Sequence, residues 1–169
     1  VITTTGFGFG NTVDWPLFSQ FLLLMLMVVG GSAGSTAGGL KVIRFLILAR
    51  IGKNQIRSTL SPNRVMTLHV NGTALDKDTQ HKILKYFVVY TLIMISLIAI
   101  VSFDSNNFMT VVSAVFSCFN NIGPMIGTTD TFAIFSPISK FLLSIAMIAG
   151  RLEIYPMLLL FMPRTWSDR

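Results

Sequence analysis

Two short runs combine residue types that could strip water from a cation without using a charged side chain. Thr3-Thr4-Thr5-Gly6-Phe7-Gly8 sets three hydroxyls beside glycines. Glycine takes positive φ at little cost, so successive backbone carbonyls can be turned toward one axis. Such carbonyls can replace the hydration shell of a monovalent cation, with threonine hydroxyls available as further ligands. Asn120-Asn121-Ile122-Gly123-Pro124 is less explicit alone and gains its standing as the partner of the first run in an internal repeat. The competing reading of both runs is a pair of Gly-rich turns at a membrane surface.

Two further features carry chemical interest. Residues Gly30 to Gly39 hold five glycines in ten positions, the rest being Ala, Ser or Thr. That density breaks a helix into a flexible loop. The alternative is a small-xxx-small packing face, which Gly30/Gly34 and Gly34/Gly38 would fit. Arg151 lies midway along a long apolar run. A charge there is costly and usually faces a cavity or a partner. The structural alternatives are a lone cap or an ion pair with Glu153, although two residues along a helix points to a different face.

The elements around these residues predict an all-α integral membrane protein. Tyr86 to Phe103 is an 18-residue stretch with no formal charge, and Pro137 to Met162 is interrupted only by Lys140, Arg151 and Glu153. Each approaches the roughly 20 residues needed to cross a bilayer. Mean hydropathy is positive, and only 12% of residues are charged. A chain of 169 residues cannot enclose several such helices in a soluble core. Leu17 to Val29 and Leu40 to Ile51 make one crossing interrupted by the glycine run. Phe108 to Phe119, at 12 residues, is too short to span and, with the Gly-Pro break after it, predicts a re-entrant pore helix and loop. The expected organisation is therefore a filter loop and broken inner helix over 1–51, and a basic connector over 52–85. A second unit over 86–169 follows, with outer helix 86–103, pore helix 108–119, filter 120–124, inner helix 137–161 and a short tail.

The net charge of +6 reflects topology more than a polyanion-binding face. Nine of the thirteen basic residues lie between Lys41 and Lys85, opposed there only by Asp76 and Asp78. The positive-inside rule puts that segment and the C-terminus in the cytoplasm of a cell (inner) membrane, and no nucleic-acid partner is expected. Cys118 is the only cysteine, so no intramolecular disulfide framework exists. The Asn71-Gly72-Thr73 sequon falls on the inner side and is a chance match. A chain beginning at Val1 is expected to be part of something longer.

An internal repeat ties the two units together. Ser19-Gln20-Phe21-Leu22-Leu23 recurs 120 residues later as Ser139-Lys140-Phe141-Leu142-Leu143, and Met27 and Gly30 then match Met147 and Gly150. Gly6 and Gly10 share the four-residue spacing of Gly123 and Gly127. The same offset sets Arg151 opposite Gly31, which predicts a common depth for the arginine and the glycine loop.

These motifs resemble the Trk/Ktr potassium transporter family. The resemblance rests on the Thr-Thr-Gly-Phe run, Asp14-Trp15-Pro16, GGSAGSTAGGLK from Gly30 to Lys41, Asn120 to Pro124, and Gly150-Arg151-Leu152-Glu153-Ile154. It covers essentially the whole chain, in order. It implies helix–re-entrant pore loop–helix repeats of potassium-channel-like type, four around one pore, this chain being the end of the third and all of the fourth. It further implies that Gly6 and Gly123 are filter glycines, with Thr4, Thr5, Phe7, Asn121 and Ile122 beside them and potassium as the transported ion. Gly30, Gly31, Gly34, Ser35, Gly38 and Gly39 would form an intramembrane gate, with Arg151 projecting toward the pore. One departure is the continuation Gly8-Phe9-Gly10-Asn11, where more hydroxyl residues are expected. The implied partners are membrane lipid, a second copy in a homodimer, and a cytosolic nucleotide-binding regulatory subunit. No cofactor on this chain is implied.

A non-conducting helix-assembly subunit, with glycines used only for packing, is the alternative from another class. A nucleotide-binding enzyme fails, because Gly6 to Asn11 is not GxGxxG and no βαβ pattern surrounds it. Channel-like and proton- or sodium-coupled transport are equally compatible with these residues.

Overall fold

The computed structural model describes residues 1–7, 12–32, 38–60, 69–70, 73–74, 76–129 and 131–152. Five helices organise them: α1 (Leu17–Val29), α2 (Val42–Leu60), α3 (Lys77–Val101), α4 (Phe108–Phe119) and α5 (Pro137–Leu152). Between α2 and α3, β1 (His69–Val70) pairs antiparallel with β2 (Thr73–Ala74), His69 opposite Ala74. Single 3-10 turns at Thr12–Asp14 and Phe132–Ile134 precede α1 and α5.

α4 is the hub. It is short and mostly apolar, its hydroxyls confined to Thr110, Ser113 and Ser117, and residues from Thr110 to Phe119 are buried apart from Phe116. A helix with so few polar positions must be enclosed by others, and α3, α5 and α1 all pack against it. Its start is fixed by Asn107, whose Oδ1 accepts from the Met109 amide at 3.1 Å, the usual way of satisfying an otherwise orphaned first-turn donor. Tyr90, Met94, Leu97 and Val101 of α3 form the main core with Val111, Val115 and Phe119 of α4 and Leu143 and Ala146 of α5. A second cluster joins Leu24 and Met27 of α1 to Val112, Ile122 and Ile126. Ile47 of α2 packs with Ile43, Ile51 and Ile83, which holds α2 along the first turns of α3.

α3 is the one helix among the described residues long and apolar enough to cross a membrane, over Asp78–Val101. Its 25 residues reach about 37 Å at 1.5 Å per residue.

The expected connector differs from the structure at both ends. α2 continues past Ile51 to Leu60, and α3 begins at Lys77, nine residues before the expected Tyr86. Hydropathy falls at these places, but Lys, Gln, Arg and Ile are adequate helix formers. Ile51 and Ile83 supply apolar contacts that keep the polar ends packed. α3 also stops at Val101, leaving Phe103 92% exposed in the turn beyond it. The helix expected over 137–161 is described as α5 to Leu152, and its expected continuation lies outside the described residues.

Candidate functional site

The two glycine-bearing runs place positive φ at equivalent positions. Thr4 and Gly6 have φ of 52° and 77°, and Asn121 and Gly123 have 55° and 111°. Each pair is separated by 117 residues in sequence, Thr4 to Asn121 and Gly6 to Gly123. The supporting bonds correspond as well: the Thr4 amide donates to the Val1 carbonyl at 3.0 Å, and the Asn121 amide to the Cys118 carbonyl at 3.1 Å. Left-handed φ at a threonine and an asparagine is uncommon and persists only where the surroundings impose it.

The runs meet at Gly6. A Cβ there would collide with the carbonyl oxygen of Ile122, so only glycine allows the approach. α4 anchors the second run from behind. Ser117 accepts from the Ile122 amide at its carbonyl, 2.9 Å, and from the Gly123 amide at its hydroxyl, 3.0 Å. Those donors face α4. Among the described residues no hydrogen bond is directed at the carbonyls of Thr5, Gly6, Ile122 or Gly123. Oxygens left without an internal donor are the type that a dehydrated cation uses. The Thr5 hydroxyl lies 2.9 Å from that of Thr3, and the Phe7 ring is 91% exposed.

The described ends of the glycine stretch lie against Asn120, where the second run begins. α1 ends at Gly30, which has φ 69° and returns its amide to the Leu26 carbonyl. The chain then folds back beside its own exit. The Leu40 amide donates to the Val28 carbonyl at 3.1 Å and the Val42 amide to the Gly31 carbonyl at 3.0 Å. Gly30 lies against Gly38 and Gly39, and a Cβ on Gly38 would strike the Asn120 carbonyl oxygen. The ends of the loop are thus closed into a stem pressed on the C-terminal end of α4. Gly34 and Ser35 lie outside the described residues, as do Gly8 to Asn11.

Gly150 of α5 approaches the same end of α4. A Cβ on it would run into the Phe119 carbonyl oxygen and come within 3.0 Å of Asn121 Nδ2, while that Nδ2 donates to the Met147 carbonyl at 2.9 Å. Arg151 is the next residue, exposed on the last described turn. Its sequence partner Glu153 lies outside the described residues.

Two residues that the sequence does not single out hold this region together. Tyr90 donates its hydroxyl to Asn120 Oδ1 at 2.7 Å, and Asn120 Nδ2 donates to the Phe116 carbonyl at 3.0 Å. A phenol in an otherwise apolar span signals a buried partner. The second is Gln20, which bonds the carbonyls of Thr12, Val13 and Trp15 at 3.1, 3.2 and 3.0 Å. Lys140, its counterpart by the 120-residue offset, reaches the carbonyl of Ala133, the counterpart of Val13, at 3.0 Å. The repeat itself was the available signal. Across the two units, the Gly127 amide donates to Thr12 Oγ1 at 3.0 Å.

Away from the two glycine-bearing runs, Asp104 accepts from the Ser136 amide at 2.9 Å. Hydrogen bonding from the Ser139 hydroxyl, then from the Ser136 backbone and hydroxyl, holds its carboxyl below the usual carboxylate range. Among the described residues no group of three His, Cys, Asp or Glu side chains gathers as a metal site.

Helices enclosing a short buried helix, with uncommitted carbonyls at its end, fit the class of cation transport proteins, and the family model described as a cation transport protein, TrkH, matches residues 1–168. The chain belongs to the TrkH family. It is 38% identical over 168 residues to the Trk system potassium uptake protein TrkH of Salmonella typhimurium, covering 98% of this chain and 35% of that protein. It is 34% identical over 169 residues to the Trk system potassium uptake protein TrkG of Escherichia coli, covering 99% of this chain and 35% of that one. The crystal structure of the potassium transporter TrkH from Vibrio parahaemolyticus superposes with a TM-score of 0.88 at 35% identity, covering 98% of this chain and 36% of that one. The chain thus spans about a third of the length of these relatives.

Proposed function

We propose that this chain forms part of the pore of a Trk-type potassium uptake system in the inner membrane. The two runs supply two quarters of a carbonyl filter, and the glycine stretch with Arg151 forms the barrier below it. The observation that carries this reading is the paired left-handed geometry of Thr4/Gly6 and Asn121/Gly123, with Gly6 against the Ile122 carbonyl. Packing alone does not require two segments 117 residues apart to share left-handed φ at equivalent positions and carbonyls without an internal donor. That favours a filter over a non-conducting assembly subunit. α1 and α2 then form one inner helix broken by the glycine loop, and α5 is its unbroken counterpart. Residues 52–85 and the C-terminus face the cytoplasm, where a nucleotide-binding regulatory subunit docks, and the complete subunit pairs as a homodimer.

Potassium uptake by the full-length transporter carrying Gly6→Ser or Gly123→Ser tests the filter. Loss of uptake or altered selectivity at normal membrane expression is expected; unchanged uptake from both would refute it. For the gate, Arg151→Ala and a deletion within residues 34–38 should each change flux or its regulation.

A further inference from the structure

We propose that the cleft between α2 and α3 binds the phosphate headgroup of an anionic phospholipid in the leaflet on the basic side of the protein. The proposal rests on reading α3 as membrane-spanning and adds a ligand that the pore reading does not need. The cleft has a volume of about 430 Å³ and is lined by Arg44, Thr79, Lys82, Ile83, Lys85 and Tyr86. Three of the six linings are cations and none is a carboxylate. The Arg44 guanidinium is held 4.4 Å above the Tyr86 ring, a stacking that fixes its planar fork in place. Lys82 and Lys85 are exposed on successive turns of α3.

What surrounds the cleft separates a lipid from a soluble anion. From Lys85, the residues on the same helical face are Val88, Leu92 and Ile95, exposed at 50%, 62% and 58%. Their spacing of three, four and three keeps them in one stripe along the helix. Ten residues at 1.5 Å each make that stripe about 15 Å long, half of a hydrocarbon core of roughly 30 Å. Lys85 both lines the cleft and heads the apolar stripe, a junction that matches a phosphodiester with an acyl chain attached. Basic clefts between helices at the cytoplasmic boundary bind lipid headgroups in this way.

The test is native mass spectrometry of the full-length transporter released from nanodiscs containing dioleoylphosphatidylcholine alone or mixed with dioleoylphosphatidylglycerol. Phosphatidylglycerol should be retained in preference to phosphatidylcholine, and retention should fall roughly fivefold for each charge removed in Lys82→Gln and Lys85→Gln. Both lysines are exposed, so these variants keep the fold; Arg44→Gln adds a third point at which stacking is also lost. Inorganic phosphate should not displace the lipid. Equal retention of the two lipids, or unchanged retention in the double lysine variant, would overturn the proposal. Full displacement by inorganic phosphate would assign the cleft to a soluble anion instead and overturn the lipid. A transporter that does not enter nanodiscs at all would refute the membrane reading itself, an outcome distinct from insertion without lipid preference.

Discussion

The Tyr90 hydroxyl on α3 donates to Asn120 Oδ1 at the C-terminal end of α4, at 2.7 Å and with Asn120 fully buried. Asn120 also presents its carbonyl to Gly38 and precedes Asn121, whose φ of 55° opens the second glycine-bearing run. One asparagine therefore fixes α3, the glycine stem and the second run relative to one another. Tyr90→Phe keeps the ring, which packs 5.0 Å from that of Phe119, and removes only the donor. Leaving the buried oxygen without it should destabilise the protein by about 1–3 kcal/mol. Thermal unfolding in detergent measures this, and potassium flux should change with it because the stem loses its reference point. An unaltered melting temperature would show that Asn120 finds another donor.

Glycines at three positions should respond for three different reasons. At Gly38 a methyl group meets the Asn120 carbonyl oxygen, so Gly38→Ala must push the stem away from α4 and should cost more than either of the others. At Gly123 nothing lies within 4 Å of a Cβ, but φ is 111°, so Gly123→Ala costs about 1–2 kcal/mol in backbone strain alone. Gly52 lies inside α2 with open space around it, and Gly52→Ala should stabilise by about 0.5–1 kcal/mol. Melting temperatures of the three variants give the order directly. A destabilised Gly52→Ala would mean that α2 needs flexibility or a contact at that point.

Asp104 gives a dependence on pH. Its carboxyl is held below the usual range by hydrogen bonds from Ser139 and Ser136, so folding favours the ionised form. The stabilisation is fully present above the unfolded carboxylate pKa of about 4 and is lost as pH falls through the depressed folded value. Asp104→Asn should narrow the stability difference between neutral and acidic pH. Melting curves of both proteins from neutral pH downward check the sign: the two should converge on acidification, and a gap that widens instead would be incompatible with this role.

The legible and illegible parts of this fold divide along physical lines. Phe108 to Phe119 is bounded by polar residues on both sides, and α4 occupies those residues. The polar ends of α2 and α3 were hidden because hydropathy and helicity part company there; Ile51 and Ile83 hold turns whose other residues favour water. Gly6 and Gly123 stand out by residue type and spacing. Their meeting does not, because the contact of Gly6 with Ile122 depends on how two distant segments pack. The same holds for Asn120, whose partners Tyr90 and Gly38 lie far from it in sequence.

The 120-residue correspondence makes a final prediction, because its two copies use different side chains for one task. Gln20 and Lys140 each reach back to the carbonyl of the residue seven positions earlier, at 3.2 Å to Val13 and 3.0 Å to Ala133. Gln20 is 7% exposed and also holds the carbonyls of Thr12 and Trp15. Its Oε1 lies where a Cβ on Gly127 would stand, so no larger residue fits there without moving it. Lys140 is exposed and holds one carbonyl. Gln20→Leu removes a donor shared by three part-buried carbonyls and should cost about 1 kcal/mol, whereas at Lys140→Leu water replaces the amine and the loss should be within about 0.5 kcal/mol. Because Gln20 secures the turn whose Thr12 hydroxyl accepts from the Gly127 amide, its loss should also loosen the contact between the two units. Hydrogen exchange reads that directly: protection of the Gly127 amide should fall in Gln20→Leu and hold in Lys140→Leu. Equal protection in both variants would show that the two units are joined elsewhere.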